Sequence, residues 1–229
     1  MITLSDVNKN YFIGKGNSVA ALRGVSLQIN EGEFVIIVGR SGSGKTTLLN
    51  VSAGLTRPTS GTVMLDGTDL WSLSDKQQSF LRSQKIGFVF QFPSLLPALT
   101  TYENVILPTA FGTKGSSPQV LEKAKQLLQD VGLGDKLVAY PRQLSAGQQQ
   151  RVVIARALMN QPEVILADEP TSNLDERTEI EIMDLFRNLH RSLGITIVLV
   201  THTRLLVSYG TRAVEMAEGQ LVNGNKQIT

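Results

Sequence analysis

The sequence predicts an α/β fold with a parallel sheet at its centre, because apolar runs of strand length alternate with a helical pattern. FVIIV fills residues 34–38, EVILAD fills 163–168 and ITIVLV fills 195–200. Continuous apolar runs are typical of strands that are covered on both faces. Two such strands with a helix between them imply a parallel pair and a right-handed crossover. Apolar residues at helical spacing indicate that helix: Ile180, Met183, Phe186 and Leu189.

An antiparallel β subdomain is predicted before the first buried strand. Weak alternation of apolar residues in 2–7 and 25–29 indicates two strands, joined by the loop GKGN at 14–17. TTLLNVSAGL at 46–55 favours a helix that ends near its glycine. GTVMLDG at 61–67 is typical of an edge strand.

Residues 72–160 are predicted to be mainly helical, with one strand, IGFVFQ, at 86–91. Ser or Thr followed three residues later by Gln or Glu, or directly by Pro, indicates a helix N-terminus. Three such signals fall in this region: Ser74 with Gln77, Thr100 with Glu103, and Ser117 with Pro118. The sequence therefore predicts a helical insertion in the α/β core.

Composition narrows the possible functions. The 229 residues carry a net charge of +2 and contain no Cys, so neither a nucleic-acid-binding surface nor disulfide or thiolate chemistry is indicated. The start, MITLSDVNKN, lacks the pattern of a signal peptide, and the apolar runs are too short to span a bilayer. If the chain works at a membrane, we expect a partner to hold it there.

A glycine-rich loop between the first buried strand and the following helix matches G-x-x-x-x-G-K-[ST]. Its glycines allow backbone N–H groups to converge on phosphates, while Lys45 supplies a positive charge and the Thr46 hydroxyl can bind Mg²⁺. The alternative is a simple Gly-rich turn, but the strand before it and the helix after it favour a nucleoside triphosphate site. The loop residues are Gly39, Arg40, Ser41, Gly42, Ser43, Gly44, Lys45, Thr46 and Thr47.

Two acids end the strand EVILAD. Asp168 is expected to bind Mg²⁺, and Glu169 to orient or deprotonate the water that attacks the γ-phosphate. Side chains alternate along a strand, so the two carboxylates need not point the same way. A solvated strand end is the alternative for such a pair, and the phosphate loop upstream favours the metal and water roles.

Gln91 and His202 also follow apolar strands. Ligands of parallel α/β sheets gather beyond the carboxyl ends of the strands. An amide at Gln91 could sense Mg²⁺ and the attacking water, and the His202 imidazole could donate to the γ-phosphate; a structural histidine is the alternative for the latter. His190 is interpreted as an ordinary exposed helix residue.

LSAGQQQR at 144–151 looks like a second phosphate-binding helix start. Ser145 and Gly147 could turn a hydroxyl and backbone groups toward an anion, and Ser145 with Gln148 has the spacing of a capping box. One small chain has no evident need for two phosphate sites.

Six motifs follow one another along the chain: GRSGSGKTT, Gln91 after FVF, LSAGQQQR, VILADEP, TSNLD and the final TH. In this order they resemble the nucleotide-binding subunit of an ATP-binding cassette (ABC) transporter. The resemblance runs from Tyr11 to about residue 220. The resemblance implies an ATPase that uses ATP and Mg²⁺. It also implies a single domain with a P-loop NTPase core at 1–91 and 161–229, carrying the antiparallel flank, and a mainly helical signature subdomain at 92–160.

The resemblance further implies a head-to-tail pair of ATPase subunits, a homodimer or a pseudo-dimer, with each nucleotide between the phosphate loop of one subunit and the signature segment, residues 144–151, of the other. Ala146 stands where the family commonly has Gly. Asp175 would lie at the dimer interface, and Tyr11 would stack on adenine, with Phe12 competing for that role. His202 matches the switch histidine, followed by Thr203 where Asp is frequent. The nucleotide-contacting residues of the signature segment would be Ser145, Ala146, Gly147 and Gln148.

Two longer stretches carry a closer resemblance: AALRGVSLQINEGEFV and FQFPSLLPALTTYENVILP. They resemble the branch of the ABC family that serves lipoprotein release, macrolide export and cell division. This implies transmembrane permease subunits as partners, with the chain peripheral at the cytoplasmic face of the inner membrane and coupling ATP hydrolysis to export or extraction. The apolar segment 92–108 is interpreted partly as subdomain core and partly as a groove for a helix of the membrane subunit. The alternatives are a soluble cassette ATPase of DNA repair or translation, and a small-molecule kinase, which leaves LSAGQ and SNLD unexplained.

Overall fold

The structure, a computed structural model, describes residues 1–14, 17–111 and 117–227. Its strands are β1 (Ile2–Ile13), β2 (Asn17–Ile29), β3 (Phe34–Val38), β4 (Ser60–Leu65), β5 (Thr68–Asp69), β6 (Ile86–Val89), β7 (Val164–Asp168), β8 (Thr196–Thr201), β9 (Arg212–Ala217) and β10 (Gln220–Gln227). Its α-helices are α1 (Lys45–Ser52), α2 (Asp75–Lys85), α3 (Thr101–Ile106), α4 (Pro118–Asp130), α5 (Ala146–Leu158) and α6 (Glu176–Leu193).

The central sheet has the strand order β10-β9-β3-β8-β7-β6. β3, β8, β7 and β6 are parallel, and every residue of β3, β7 and β8 is buried. The predicted α/β fold with a parallel sheet is therefore confirmed. β9 extends this sheet in parallel with β3, and β10 pairs antiparallel with β9. The sequence patterns did not predict these last two strands.

The predicted N-terminal antiparallel subdomain is also confirmed. Its strand order is β2-β1-β4-β5, and β1 pairs with both β2 and β4. The prediction of an edge strand at 61–67 was wrong, because β4 also pairs with the two-residue β5 on its other side. Within the predicted GKGN loop, residues 15 and 16 lie outside the described residues.

The helices begin where their capping residues predict. α2 and α3 each start with a reciprocal capping box, and the Ser117 side chain accepts a hydrogen bond from the Val120 amide at the start of α4. α6 is amphipathic as predicted, with Met183, Phe186 and Leu189 buried. Ile180 is an exception, because it lies on the exposed side of the helix.

The two faces of the central sheet are covered differently. One face packs against α3 to α6 through a core centred on residues such as Phe186, and the other packs against α1 and the antiparallel sheet. Val38 is in register with Thr201, and Asp168 with Val200, so β3, β7 and β8 end at one edge of the sheet. In the part of the chain that the structure describes, no helix combines the length and the hydropathy needed to cross a membrane.

Candidate functional site

The glycine-rich loop connects β3 to α1 at this sheet edge, and its backbone requires two of its glycines. Gly44 has a φ of 102°, and a Cβ on it would lie 2.4 Å from the Ala21 carbonyl oxygen. A Cβ on Gly39 would lie 2.2 Å from the Met216 carbonyl oxygen. Gly44 is also the N-cap of α1, so no side chain competes for the first amides of this helix. These amides are therefore available to an anion.

The ammonium group of Lys45 lies inside this loop and is buried. Its Nζ donates to the carbonyl oxygens of Gly39 at 2.9 Å and Arg40 at 3.0 Å, and lies 3.5 Å from Oε1 of Glu169. The loop thus carries a fixed positive charge at its centre. Convergent amides around such a charge are suited to phosphate groups.

Thr46 and Asp168 meet although they are far apart in the sequence. The Thr46 hydroxyl donates to Oδ1 of Asp168 at 3.0 Å. Burial raises the pKa of Asp168, and the neighbouring Glu169 carboxylate acts in the same direction, whereas the Thr46 hydrogen bond and the Lys45 charge oppose the shift. A hydroxyl and a carboxylate, both hard oxygen donors, are therefore placed together.

Glu169 and Asp168 are adjacent in sequence but have different partners. Glu169 has a φ of 42°, and its Oε2 lies 2.9 Å from Nδ1 of His202. Its other oxygen faces Lys45, as described above. The carboxylate is thus held between an ammonium and an imidazole, where it can accept or return a proton.

Gln91 and Tyr11 both line a cleft of about 380 Å³ beside the phosphate loop. The Gln91 amide donates to the Ser172 hydroxyl at 3.3 Å. Tyr11 lines the cleft, with the Lys9 ammonium 5.0 Å from its ring centroid, whereas Phe12 is 82 % exposed and does not line it. The cleft is lined by Tyr11, Val19, Ala20, Ala21, Ser41, Gly42, Gly44, Lys45, Thr46, Thr47, Gln91 and Glu169.

The signature segment is not part of this cleft. Ser145 is the N-cap of α5: its hydroxyl accepts from the Gln148 amide at 3.2 Å, and its own amide donates to Oε1 of Gln148 at 2.9 Å. Ser145 and Ala146 are exposed, whereas Gly147 is buried against α6. A Cβ on Gly147 would lie 2.4 Å from Cγ2 of Thr178, so glycine is needed at that position, while the Ala146 methyl group lies on the exposed side.

Asp175 lies next to this helix start, because it caps the helix that Gly147 contacts. Its carboxylate accepts from the Thr178 amide at 3.0 Å and from the Thr178 hydroxyl at 2.7 Å. These two hydrogen bonds, the hydroxyl first, lower the pKa of Asp175. The exposed ends of α5 and α6 therefore form one surface that carries both Ser145 and Asp175.

Several residues that hold the site in place were not predicted. Ser172 accepts the Gln91 hydrogen bond, and Arg156 and Asn104 hold the segment after Gln91 through backbone groups. The interpretation of His190 as an exposed residue was wrong. It is half-buried, with Nδ1 3.0 Å from the Ile195 carbonyl oxygen and its ring centroid 5.7 Å from that of Phe34.

A phosphate-binding loop with an internal lysine, facing two strand-end carboxylates on a parallel sheet, defines the class of nucleoside triphosphatases. Residues 22–172 match the family described as ABC transporter. The chain belongs to this family. It is an ATP-binding cassette that binds ATP and hydrolyses it.

Related proteins carry names from the predicted branch. The lipoprotein-releasing system ATP-binding protein LolD of Syntrophus aciditrophicus is 42 % identical over 97 % of this chain and 99 % of its own length. The macrolide export ATP-binding/permease protein MacB of Rhodopirellula baltica is 46 % identical over 99 % of this chain. The chain spans 33 % of that MacB protein's length, so it corresponds to one part of it. These matches do not favour a non-transport cassette ATPase.

Solved structures agree with this assignment. The ATP-binding cassette MJ0796, solved as a dimer in a post-hydrolysis state with ADP and Pi, is 41 % identical and superimposes with a TM-score of 0.91. The match covers 100 % of this chain and 99 % of that one.

Proposed function

We propose that this chain works as one of a pair of ATPase subunits and couples ATP hydrolysis to the movement of transmembrane permease subunits. The observation that supports pairing is the separation of two phosphate-binding features on one chain. The cleft at the phosphate loop contains no residue of the signature segment, and the capped, exposed start of α5 faces away from the core. A second subunit would supply the missing half of each site. The similar structure of MJ0796 is itself dimeric.

Within each site, the phosphate loop from Gly39 to Thr47 would hold the ATP phosphates through its amides and Lys45. The geometry supports Tyr11 over Phe12 as the platform for adenine, since only Tyr11 lines the cleft. From the opposite subunit, Asp175 would lie at the interface, and the α5 start would contact the γ-phosphate. That contact would use Ser145, Ala146, Gly147 and Gln148.

The residues present fit a magnesium ion. Thr46 and Asp168 offer two oxygen donors that already lie 3.0 Å apart, and Gln91 lies on the same cleft. Among the described residues there is no cluster of three His, Cys, Asp or Glu side chains that could hold a metal. This agrees with Mg²⁺, which is commonly bound by few protein ligands together with substrate phosphates. When bound, Mg²⁺ neutralises the charge that develops on the phosphates.

Glu169 would orient the attacking water and take its proton, since its carboxylate borders the cleft and is held by Lys45 and His202. His202 would donate from its free ring nitrogen toward the γ-phosphate. Gln91 would sense the metal and the water from the neighbouring strand end. The lysine charge at the loop would stabilise the negative charge of the transferred phosphoryl group.

A groove beside the segment 92–108 supports the membrane partner. Within the segment Val105 is buried, whereas Phe92 and Leu96 are exposed. The groove, of about 440 Å³, is lined by residues that include Phe90 and Leu107. The segment is thus partly subdomain core and partly open apolar surface, as a docking site for an amphipathic helix would be. We propose that a permease helix docks here, which places the chain at the cytoplasmic face of the inner membrane. Its relatives LolD and MacB favour export or extraction.

We also propose that 92–160 forms the helical signature subdomain that moves relative to a core of 1–91 and 161–229. In this scheme the subdomain carries both the docking groove and the start of α5. A displacement at one of them would therefore reach the other.

A mixing experiment tests the pairing. Ser145→Arg leaves the chain's own phosphate loop intact, and Glu169→Gln leaves its own signature segment intact. Each variant alone should be inactive, but mixed dimers should contain one complete site and recover ATPase activity. No recovery on mixing, when the two variants are shown to associate, would contradict a site shared between subunits.

Copurification tests the membrane partner. The chain, isolated from detergent-solubilised membranes of its own host, should carry a permease subunit with it, and Phe90→Ser should weaken this association. Leu193→Ser, which changes an exposed leucine at the far end of α6, is the matched control. Recovery of the parental chain without any membrane protein would count against transport.

A further inference from the structure

Arg156 forms an unusual contact between α5 and the segment after Gln91. Its Nη1 donates to the Ser94 carbonyl oxygen at 3.0 Å, and its Nη2 donates to the Pro93 carbonyl oxygen at 3.4 Å. Among the residues that the structure describes, no carboxylate lies within ion-pair distance of this guanidinium. Its hydrogen bonds are therefore directed at the backbone of this one segment.

The segment that Arg156 holds has no regular secondary structure. Ser94 has a φ of 40°, a conformation that non-glycine residues rarely adopt and that persists only where surrounding contacts impose it. The Ser94 hydroxyl donates to the Phe92 carbonyl oxygen at 3.1 Å. Further along, the Leu96 amide donates to Oδ1 of the buried Asn104 at 2.8 Å. Side chains, rather than a strand or a helix, thus determine the path of this segment.

Gln91 lies between two anchors. On one side, β6 ends at Val89, which is in register with Ala167, the residue before Asp168. On the other side, Arg156 binds the chain three residues beyond Gln91. Since the Gln91 amide itself makes one hydrogen bond of 3.3 Å, to Ser172, these anchors determine how the amide faces the cleft.

The second anchor belongs to the helix that begins at the signature segment. Arg156 follows Ser145 by eleven residues on the same uninterrupted helix, so a shift of the helix start also shifts the guanidinium. Arg156 lies half-buried in a groove of about 440 Å³ whose other lining residues include Phe88, Phe90 and Leu107. Arg156 therefore links α5, the helix that begins at the signature segment, to the groove and to the segment that follows Gln91.

We infer that Arg156 is a positioning residue for Gln91. It makes the placement of the Gln91 amide in the cleft depend on the position of α5, and hence on engagement of the α5 start by the opposite subunit's nucleotide. The inference rests on the proposed role of Gln91 in the ATPase site. A purely structural role would attach α5 to the segment without affecting Gln91 in particular.

A double-mutant cycle distinguishes these two roles. ATPase rates are measured for the parental chain, Arg156→Met, Gln91→Ala and the double variant. Arg156→Met keeps the aliphatic stem of the side chain. It should lower kcat about tenfold, with the KM for ATP changed less than about twofold, because the phosphate loop is untouched. The double variant should be no slower than Gln91→Ala alone, since Arg156 acts through Gln91.

Hydrogen exchange supplies a second readout. Amides of residues 92 and 94–96 should exchange faster in Arg156→Met, whereas those in the middle of α5 should keep their protection. Arg156→Lys retains the charge but cannot donate from two nitrogens, so it should lie between the parental chain and Arg156→Met in both readouts. Arg156→Lys also tests the positioning role if Arg156→Met folds poorly. Arg187→Met, on α6, is the matched control and should leave kcat unchanged.

Each outcome has a distinct meaning. Parental kcat in both Arg156 variants, or a further fall of about tenfold when Arg156→Met is added to Gln91→Ala, overturns the positioning role while leaving that of Gln91 intact. Parental kcat in Gln91→Ala overturns the proposed role of Gln91 itself, and the positioning role with it.

Discussion

His202 and Glu169 lie at the ends of neighbouring parallel strands, and Nδ1 of the imidazole lies 2.9 Å from Oε2 of the carboxylate. The histidine is about half exposed, with 53 % of its side chain accessible, whereas the glutamate is mostly covered, at 17 %. The contact uses Nδ1 of the ring, so Nε2 is the ring nitrogen that could interact with a phosphate. This arrangement gives Glu169 a fixed orientation before any substrate arrives.

Glu169→Gln is expected to abolish turnover while preserving ATP binding. The amide can still accept a hydrogen bond from Lys45 or His202, but it cannot take a proton from water, so kcat should fall by about 100-fold or more. Single-turnover ATPase assays and equilibrium ATP binding check the two parts separately. Glu163→Gln makes the same change beside the other end of β7, where Glu163 pairs with Lys85, and should keep the parental kcat. Hydrolysis at the parental rate in Glu169→Gln would remove Glu169 from the mechanism.

Lys45→Ala is expected to weaken ATP binding rather than only slow hydrolysis. The substitution removes the charge at the centre of the phosphate loop and leaves the carbonyl oxygens of Gly39 and Arg40 without their donor. Loss of one charge-assisted contact, about 1.5–3 kcal/mol, corresponds to about a 10- to 150-fold increase in Kd. Calorimetric titration with ATP measures this. Lys125→Ala, on the exposed side of α4, should bind ATP as the parental chain does.

Local sequence patterns predicted the parts of the fold that depend on local physics. The buried strands at 34–38, 163–168 and 195–200 follow from uninterrupted apolar runs, and the starts of α2 and α3 follow from Ser74 and Thr100. β9 was missed because RAVEMA is not a continuous apolar run, since Arg212 and Glu215 interrupt it. Ile180 was assigned to the apolar stripe because its spacing fits, although the stripe passes through Ile182 instead.

The candidate site was predictable to the extent that strand ends converge at one edge of a parallel sheet. This explains why Asp168, Glu169 and His202 could be placed near the phosphate loop. The contacts of Arg156 and Asn104 could not be foreseen, because each joins a helix to backbone carbonyls or amides of an irregular segment. The roles assigned to the individual site residues stay predictions.

The capping box at α3 predicts a specific dependence of stability on pH. The Thr100 amide donates to Oε2 of Glu103 at 2.7 Å and the Thr100 hydroxyl at 2.8 Å, and these bonds, the backbone one first, hold the pKa of Glu103 below its ordinary value of 4.5. The carboxylate therefore stabilises the fold above pH 4.5, and this contribution is lost as the pH falls through the lowered value.

Glu103→Gln should remove this pH dependence while keeping the cap, because Gln can also accept at this position. The free energy of unfolding in urea, measured from pH 7 to pH 3, should fall more steeply for the parental chain than for the variant below about pH 4.5. Parallel curves for the two proteins would show that the Glu103 bond does not persist in solution.

Gly147→Ala is expected to destabilise the fold through a single methyl–methyl contact. The new Cβ would lie 2.4 Å from Cγ2 of Thr178, a β-branched side chain that cannot turn away without losing its 2.7 Å bond to Asp175. Overpacking of this kind costs about 1–3 kcal/mol, which urea unfolding resolves.

Thr178→Ser removes Cγ2 but keeps the hydroxyl, and the next Thr178 atoms lie 3.8 Å or more away. In that background Gly147→Ala should no longer destabilise, since Ala is the better helix former. Ala146→Gly, one residue earlier on the exposed side, is the control and should change stability by no more than about 1 kcal/mol. An equal loss on Gly147→Ala with Thr or Ser at position 178 would show that another contact requires this glycine.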